Sequence, residues 1–294
     1  MIYLDTFRFP AAEEEFAYLF PKTGKNTMTC YDSRYPFGLF PEQKFQESFK
    51  FGDITIFCGN NGCGKSTILN VIAEKLQIDR ASPYNRTDFF DDYTSLCKYT
   101  LEDCIPSGSR VITSDDVFER VLDIRRINGG IDARREMIAN EWIINRSDSA
   151  DSRLHGLDDY DRWKKICDSR NKSISKSQYI RSHLMRNMTE RSNGESALSL
   201  FVDAIRDNAL YILDEPENSL SPQNQLELKY FLEDCTKHHG CQFIISTHSP
   251  FLLSLKGARI YAIDSNPIKT TEWTELECVH VYKDFFEENS FRFR

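Results

Sequence analysis

The feature that most constrains this chain of 294 residues is a glycine-rich segment that reads Gly59-Asn60-Asn61-Gly62-Cys63-Gly64-Lys65-Ser66. It follows an apolar run over 54–58 and precedes apolar residues at helical spacing over 66–77, which predicts a strand, a loop and a helix. Glycines let backbone N–H groups converge on a polyphosphate, Lys65 supplies a positive charge, and the hydroxyl of Ser66 can bind Mg²⁺. The segment therefore predicts a site for a nucleoside triphosphate. The residues expected to contact it are Asn60, Asn61, Gly62, Cys63, Gly64, Lys65, Ser66 and Thr67.

Composition and charge narrow the class of protein. The chain has nine cysteines but no Cys-x-x-Cys pair, so neither a disulfide framework nor a zinc site is expected, and the thiols indicate a reducing compartment. A net charge of −8 argues against a protein that coats nucleic acid over its whole surface. The first residues lack the pattern of a signal peptide, and no apolar run approaches membrane-spanning length. We expect a cytoplasmic protein without a membrane segment.

Two nearly continuous apolar runs, over 209–213 and 241–245, are typical of strands that are buried on both faces of a parallel sheet. Between them, Ser221 is a suitable N-cap, Pro222 suits the first helical position, and Gly240 marks the end of a helix. Strand, helix and strand in this order predict an α/β core with a mainly parallel sheet.

Two other regions have different patterns. Residues 1–58 contain short alternating runs broken by proline and glycine, which predict an N-terminal antiparallel β layer followed by the first core strand. Residues 80–190 are polar, and helical stretches over 115–128 and 131–145 are separated by Gly129-Gly130. We expect an inserted helical lobe there, without a long coiled-coil arm because no heptads are sustained.

Titratable side chains follow the two core strands. Asp214 and Glu215 follow the first strand, where Asp214 can hold Mg²⁺ and Glu215 can orient and deprotonate a water molecule in line with the γ-phosphate. His248 follows the second strand, where its imidazole can form a hydrogen bond with the γ-phosphate. The pattern predicts that Lys65, Glu215 and His248 are catalytic and that Ser66 and Asp214 bind the metal.

A second phosphate-binding element is predicted further along the chain. Ser192 and Gly194 precede a predicted helix over 197–206, and a helix N-terminus offers free N–H groups and a positive dipole end. The segment before it, Arg162 to Arg191, has nine Lys or Arg residues and two acidic ones. That segment can contact DNA or RNA phosphates, in which case binding should weaken steeply with added salt, or it is a solvated face.

Taken in order, the phosphate loop, the Ser-x-Gly-Glu segment, Leu-Asp-Glu-Pro over 213–216 and Ser-Thr-His over 246–248 resemble those of the ATP-binding cassette (ABC) ATPases. The longer segments 212–221 and 246–253 are similar to the soluble bacterial ATPases of the RecF, SMC and Rad50 branch, several of which accompany anti-phage effectors. The resemblance implies one ABC ATPase domain over 1–294, with the signature helix and the C-terminal half of the core in 192–294.

The resemblance also implies a homodimer in which two copies enclose ATP and Mg²⁺. Lys65 and Ser66 would act with the carboxylates and the histidine of their own copy, whereas Ser192 and Gly194 would complete the phosphate site of the other copy. Family members also use a glutamine that reaches the metal, and Gln178 is the candidate here. An aromatic residue that stacks on adenine is expected, with Tyr31 and Tyr35 as candidates. At position 221 this chain has serine where many relatives have aspartate.

These observations predict an ATP-hydrolysing switch that controls a separate effector or a nucleic-acid transaction, in bacterial anti-phage defence. An ATPase of DNA repair or chromosome maintenance and the nucleotide-binding subunit of an ABC transporter remain alternatives. A P-loop kinase or GTPase is disfavoured because it would not need the elements around Ser192 and His248, and no Asn-Lys-x-Asp segment for guanine is present.

Overall fold

A computed structural model of the protein describes residues 1–19, 34–40, 48–146, 164, 168, 175–183 and 193–293. The chain divides into two compact units, of which one comprises Met1–Phe118 with Asn193–Arg294 and the other comprises Glu119–Ser192. The strands are β1 Leu4–Arg8, β2 Phe49–Lys50, β3 Ile54–Cys58, β4 Lys98–Leu101, β5 Arg110–Thr113, β6 Leu210–Asp214, β7 Gln242–Ser246, β8 Arg259–Ala262 and β9 Lys269–Thr271. The helices are α1 Ala12–Leu19, α2 Lys65–Leu76, α3 Phe90–Leu96, α4 Ser114–Arg146, α5 Lys176–His183, α6 Asn193–Ala204, α7 Pro222–His238, α8 Pro250–Leu253 and α9 Glu277–Glu288.

A six-stranded sheet with the order β5-β6-β7-β3-β8-β9 forms the centre of the first unit. Its strands are parallel except for β9, which runs antiparallel to β8. All residues of β3 and β7 are buried, as is typical of parallel strands with helices on both faces. The predicted α/β core with a mainly parallel sheet is confirmed, and the carboxyl ends of β3, β6 and β7 lie at one edge of the sheet.

Apolar side chains fill the space on both faces of this sheet. On one face, Phe57 of β3 belongs to a buried cluster with Ile68 and Ile72 of α2. On the other face, Ile56 belongs to a cluster with Phe201 of α6 and Leu228 of α7. Neighbouring strand residues thus point to opposite faces, each into a separate core, and this packing fixes the strand ends from which the polar side chains project.

The N-terminal residues form an antiparallel sheet of the order β2-β1-β4, as predicted. The sequence pattern predicted only strands and turns before the first core strand, which was wrong for α1. This helix carries three glutamates, Glu13, Glu14 and Glu15, in its first turn. Acidic residues at this end of a helix interact favourably with its dipole, a signal that the proline and glycine pattern obscured.

The predicted start of the inserted lobe at residue 80 was also wrong, because β4 and β5 both lie between 80 and 118. Strand β5 pairs with β6 in the central sheet, and β4 pairs with β1. All four residues of β4 are exposed, and β5 buries only the short run Val111–Thr113, so neither strand has the long apolar run that identifies a core strand. The second compact unit begins at Glu119 instead.

Helix α4 is continuous through Gly129-Gly130, where two separate helices were expected. A glycine within a helix is less favourable than alanine by about 1 kcal/mol, which weakens a helix of this length without ending it.

Among the described residues, no helix combines the length and the apolar content that crossing a bilayer requires.

Candidate functional site

The loop between β3 and α2 has the backbone conformation that its glycines permit. Gly62 and Gly64 have φ angles of 80° and 99°, in the left-handed region that favours glycine. A Cβ atom on Gly64 would also come within 2.6 Å of Cε1 of Phe40, so this position has no room for a side chain. Gly64 is the N-cap of α2, and because it has no side chain to cap the helix, the first N–H groups of α2 remain available to an anion.

The amine of Lys65 lies at the centre of the site. Its Nζ donates to the carbonyl oxygens of Gly59 at 2.9 Å and Asn60 at 3.3 Å, and it lies 2.6 Å from Nε2 of His248. A lysine ammonium has only donors, so Nε2 accepts in this pair and the imidazole is neutral. Burial lowers the pKa of His248, and the charge of Lys65 lowers it further, which agrees with a neutral ring.

Asp214, at the end of β6, faces the first turn of α2. Its Oδ1 accepts a hydrogen bond from Oγ of Ser66 at 3.2 Å and another from Oγ of Ser246. Burial raises the pKa of Asp214, while the hydrogen bonds from Ser246 and Ser66 act in the opposite direction. The hydroxyl of Ser66 and this carboxylate are hard oxygen ligands of the kind that Mg²⁺ prefers, so this pair fits the predicted metal.

Glu215 is held in an unusual backbone conformation, with φ 48° and ψ 53°. Its N–H donates to the carbonyl oxygen of Ser246 at 3.0 Å, and Oε2 accepts from Nδ2 of Asn218 at 2.8 Å. Its other oxygen, Oε1, lies 3.6 Å from Nε2 of His248 and 3.8 Å from Nζ of Lys65. A left-handed conformation costs a residue other than glycine about 1–2 kcal/mol, and such strain is concentrated at functional sites.

Three further side chains of the site were missed by sequence reasoning. Ser246 bonds Asp214, Glu217 accepts the N–H of His248 on Oε1 at 2.6 Å, and Oδ2 of Asp264 accepts the N–H of Asn60 at 2.6 Å. Ser246 and Glu217 lie within the motifs that were quoted, so their positions were visible but their contacts were not. Asp264 follows β8, and the apolar residues of that strand were the available signal.

The remaining predicted residues lie as follows. Oγ1 of Thr67 lies 2.9 Å from the hydroxyl of Tyr35, whose ring packs against Phe90 with 6.0 Å between centroids. Gly194 is in the first turn of α6. Gln178 is exposed on α5 in the second unit, and its Oε1 accepts the N–H of Ser175 at 2.9 Å.

Ser192, Tyr31 and most of the basic segment from Arg162 to Arg191 lie outside the described residues. The trans site and the nucleic-acid contact therefore stay predictions. The structure brings together Lys65, Ser66, Asp214, Glu215 and His248, and the arrangement can bind a polyphosphate, hold a divalent cation and accept a proton.

A protein family described as "AAA domain, putative AbiEii toxin, Type IV TA system" matches residues 112–254, a range that includes Asp214, Glu215 and His248. No curated protein matches the chain significantly.

Several solved structures are similar to the chain. An Smc head domain from Pyrococcus furiosus has 14% sequence identity, with 98% of this chain and 100% of that chain covered and a TM-score of 0.45. A nucleotide-free ATP-binding cassette from an ABC transporter has 15% identity, with 96% and 99% covered and a TM-score of 0.40. An SMC head domain from Thermotoga maritima has 14% identity, with 78% and 95% covered and a TM-score of 0.34.

The family match to an AAA domain, the phosphate loop and the mostly parallel sheet support a P-loop ATPase fold.

Proposed function

We propose that the chain is a Mg²⁺-dependent ATPase that works as a molecular switch, in which two copies close around ATP and separate after hydrolysis. The observation that carries this proposal is the cluster of Lys65, Glu215 and His248, whose polar atoms lie within 3.8 Å of one another beside the Ser66–Asp214 pair. A purely structural ion pair would not require a strained glutamate at this position.

The side chains divide the chemistry among themselves. Lys65 and the N–H groups at the start of α2 bind the anionic phosphates, and Ser66 with Asp214 would hold Mg²⁺, which when bound neutralises phosphate charge. Glu215 accepts the proton of the attacking water on a carboxylate that Asn218 holds in place. With Nε2 accepting from Lys65, the neutral ring of His248 carries its proton on Nδ1, and this N–H would be its donor to the terminal phosphate.

The second copy would supply Ser192 and Gly194 to the same phosphates. Gly194 begins α6, and a helix N-terminus suits an anion, which supports this part of the proposal. Loss of the terminal phosphate would remove the contact that both copies share and shift the population toward separated copies.

The switch would control a separate effector in anti-phage defence. The description of the matching family names an AbiEii toxin and a type IV toxin–antitoxin system, which supports a role of this kind. Residues over 112–254 carry that match, and they include most of the proposed catalytic groups.

The test replaces Glu215 with Gln, which keeps the size of the side chain and removes the base. We expect kcat for ATP hydrolysis to fall at least about 100-fold while ATP binding is retained. With ATP, the Glu215→Gln protein should accumulate as a dimer by light scattering after gel filtration. Glu227→Gln, at an exposed position on α7, is the matched control and should hydrolyse ATP at the normal rate.

A second variant separates binding from catalysis. Lys65→Ala should abolish ATP binding measured by calorimetry, whereas Lys75→Ala, at the other end of α2, should leave it unchanged. Equal ATPase activity of the wild type and Glu215→Gln would refute the role of Glu215. A wild-type monomer that hydrolyses ATP at the full rate would refute the dimeric switch.

A further inference from the structure

Helix α9 leaves the body of the first unit after its first turn. Cys278 and Val279 pack against the buried cluster that contains Leu276. Every residue over 280–288 is exposed. The helix nevertheless carries large apolar side chains, and the turn that follows it carries two more. We define the aromatic surface as Val281, Tyr282, Phe285, Phe286, Phe291 and Phe293, which are between 48% and 68% exposed.

Three rings of this surface, those of Phe285, Phe286 and Phe293, form a chain of contacts. The ring centroids of Phe285 and Phe286 are 5.5 Å apart, and those of Phe286 and Phe293 are 5.9 Å apart. Single exposed apolar residues are normal, but a contiguous cluster marks an interaction site. A helix of 12 residues is also marginal in water without a surface to pack on, so a partner would stabilise α9.

The charges around the aromatic surface are mostly negative. Between residues 272 and 293 there are six acidic and two basic side chains. The acidic ones, all exposed, are Glu272, Glu275, Glu277, Asp284, Glu287 and Glu288. Of the basic ones, Lys283 already pairs with Glu287 at 3.7 Å. An apolar centre with a charged rim is the usual composition of a protein interface.

We propose that the aromatic surface docks a partner protein that presents an apolar groove rimmed by Lys and Arg. The acidic rim selects this occupant, because a second copy of α9 would bring like charges together and an anionic lipid surface would repel it. The partner is defined by its chemistry alone. That this partner is the effector controlled by the ATPase rests on the proposed function.

The base of α9 contacts the strand that enters the phosphate loop. Sγ of Cys278 lies 3.7 Å from Sγ of Cys58, the last residue of β3. Gly59, the next residue, accepts a hydrogen bond from Lys65 on its carbonyl oxygen. The helix that carries the aromatic surface is therefore joined to the nucleotide site through the Cys278–Cys58 contact and the peptide unit of Gly59.

The test uses the full chain without nucleotide and two labelled helical peptides, one of leucine and lysine and the other of leucine and glutamate. By fluorescence anisotropy, we expect the lysine peptide to bind and the glutamate peptide not to bind. The double variant Phe285→Ser/Phe286→Ser should weaken the lysine peptide at least about tenfold, as loss of central aromatic contacts does. Phe118→Ser, an exposed phenylalanine on α4, is the control and should bind normally.

A second pair of substitutions tests the rim. Glu287→Gln/Glu288→Gln should weaken the lysine peptide several-fold at low salt and less at high salt, because exposed charges are screened. Circular dichroism and ATP hydrolysis should be unchanged in each variant of the aromatic surface and its acidic rim. The Glu215→Gln protein should show the opposite result, with loss of ATP hydrolysis and normal peptide binding, and this separates the two proposals.

Four results would overturn the proposal. The first is binding of the lysine peptide by the Phe285→Ser/Phe286→Ser variant as tightly as by the wild type, and the second is binding of the glutamate peptide as tightly as the lysine peptide. The third is a nucleotide-free dimer of the wild type, seen in sedimentation, that this variant does not form. The fourth is pelleting of the wild type with anionic vesicles that this variant loses. The third result would assign the surface to a second copy of the chain, and the fourth to a membrane.

Discussion

The two ends of strand β7 both bury a polar side chain, but they use it differently. Gln242 begins the strand and Ser246 ends it, and both are fully buried. The amide of Gln242 forms hydrogen bonds with backbone groups alone: Oε1 accepts the N–H groups of Tyr3 and Leu4, and Nε2 donates to the carbonyl oxygens of Leu4 and Gly52. Ser246 instead bonds the carboxylate of Asp214 and the N–H of Glu215.

The difference separates a structural edge of the sheet from a chemical one. Four hydrogen bonds match the two donors and two acceptors of an amide, so Gln242 is fully satisfied and joins the N-terminal antiparallel sheet to the central sheet. At the other edge, burial raises the pKa values of Asp214 and Glu217, and Glu215 has a strained backbone. This edge therefore holds carboxyl groups where burial disfavours their charged form, which is typical of a functional site.

Removing the amide at the structural edge should have the largest effect on stability. Gln242→Leu leaves the N–H and C=O groups that it satisfied without partners, and we expect the free energy of unfolding to fall by about 3–5 kcal/mol. Urea denaturation followed by circular dichroism measures this change. Gln223→Leu, at an exposed position of α7, should change stability little. A loss as small for Gln242→Leu as for this control would end the distinction between the two edges.

The sequence predicted the chemical edge better than the structural one, because its signals are local. The phosphate loop, Asp214-Glu215 and His248 are short segments whose neighbours in sequence define them, and the N-cap of α7 is confirmed by the hydrogen bond that Oγ of Ser221 accepts from Asn224 at 3.3 Å. Gln242 reads as one polar residue in an apolar run. Its partners Tyr3 and Leu4 are more than 200 positions away, and only the tertiary packing brings them together.

Other features were unpredictable for the same reason. Asp264 accepts a hydrogen bond from Asn60 across 204 positions of sequence, so the apolar residues before Asp264 indicate a strand but not this contact. The apolar residues of α9 have helical spacing, which by itself predicts a buried face, whereas the structure exposes them. Sequence periodicity shows which residues share a face of a helix but leaves open whether that face is covered.

At the chemical edge, Ser246→Ala should change catalysis more than stability. The hydroxyl bonds both Asp214 and Glu215, so its removal should lower kcat for ATP hydrolysis about 10-fold to 100-fold through loss of their positions, with little change in ATP affinity. Steady-state kinetics and calorimetry with ATP separate the two quantities. Ser95→Ala, an exposed serine of α3, serves as the control. A variant with normal kcat would show that Ser246 only fills space, as an apolar core residue does.

The smallest change in the free energy of unfolding, opposite in sign to that of Gln242→Leu, is expected for Asp214→Asn. Burial raises the pKa of Asp214 above its ordinary value of 3.8, so the ionised carboxylate is less favourable in the folded protein than in the unfolded chain. A neutral amide of the same shape can still accept hydrogen bonds from Ser66 and Ser246. We expect Asp214→Asn to raise the free energy of unfolding at pH 7.5 by about 0.5–2 kcal/mol, the usual gain from one stabilising substitution, while ATP hydrolysis is lost.

The pH dependence of that gain identifies its cause. Below the unfolded pKa, Asp214 is protonated in both states, so wild type and variant should be equally stable. As the pH rises through 3.8, the unfolded wild type loses its proton before the folded one does, and the advantage of the variant grows until the raised folded pKa is passed. Thermal unfolding across this range measures the difference. A gain that is independent of pH would mean that packing, and not the buried charge, accounts for it, and the chemical edge would then carry no cost in stability from Asp214.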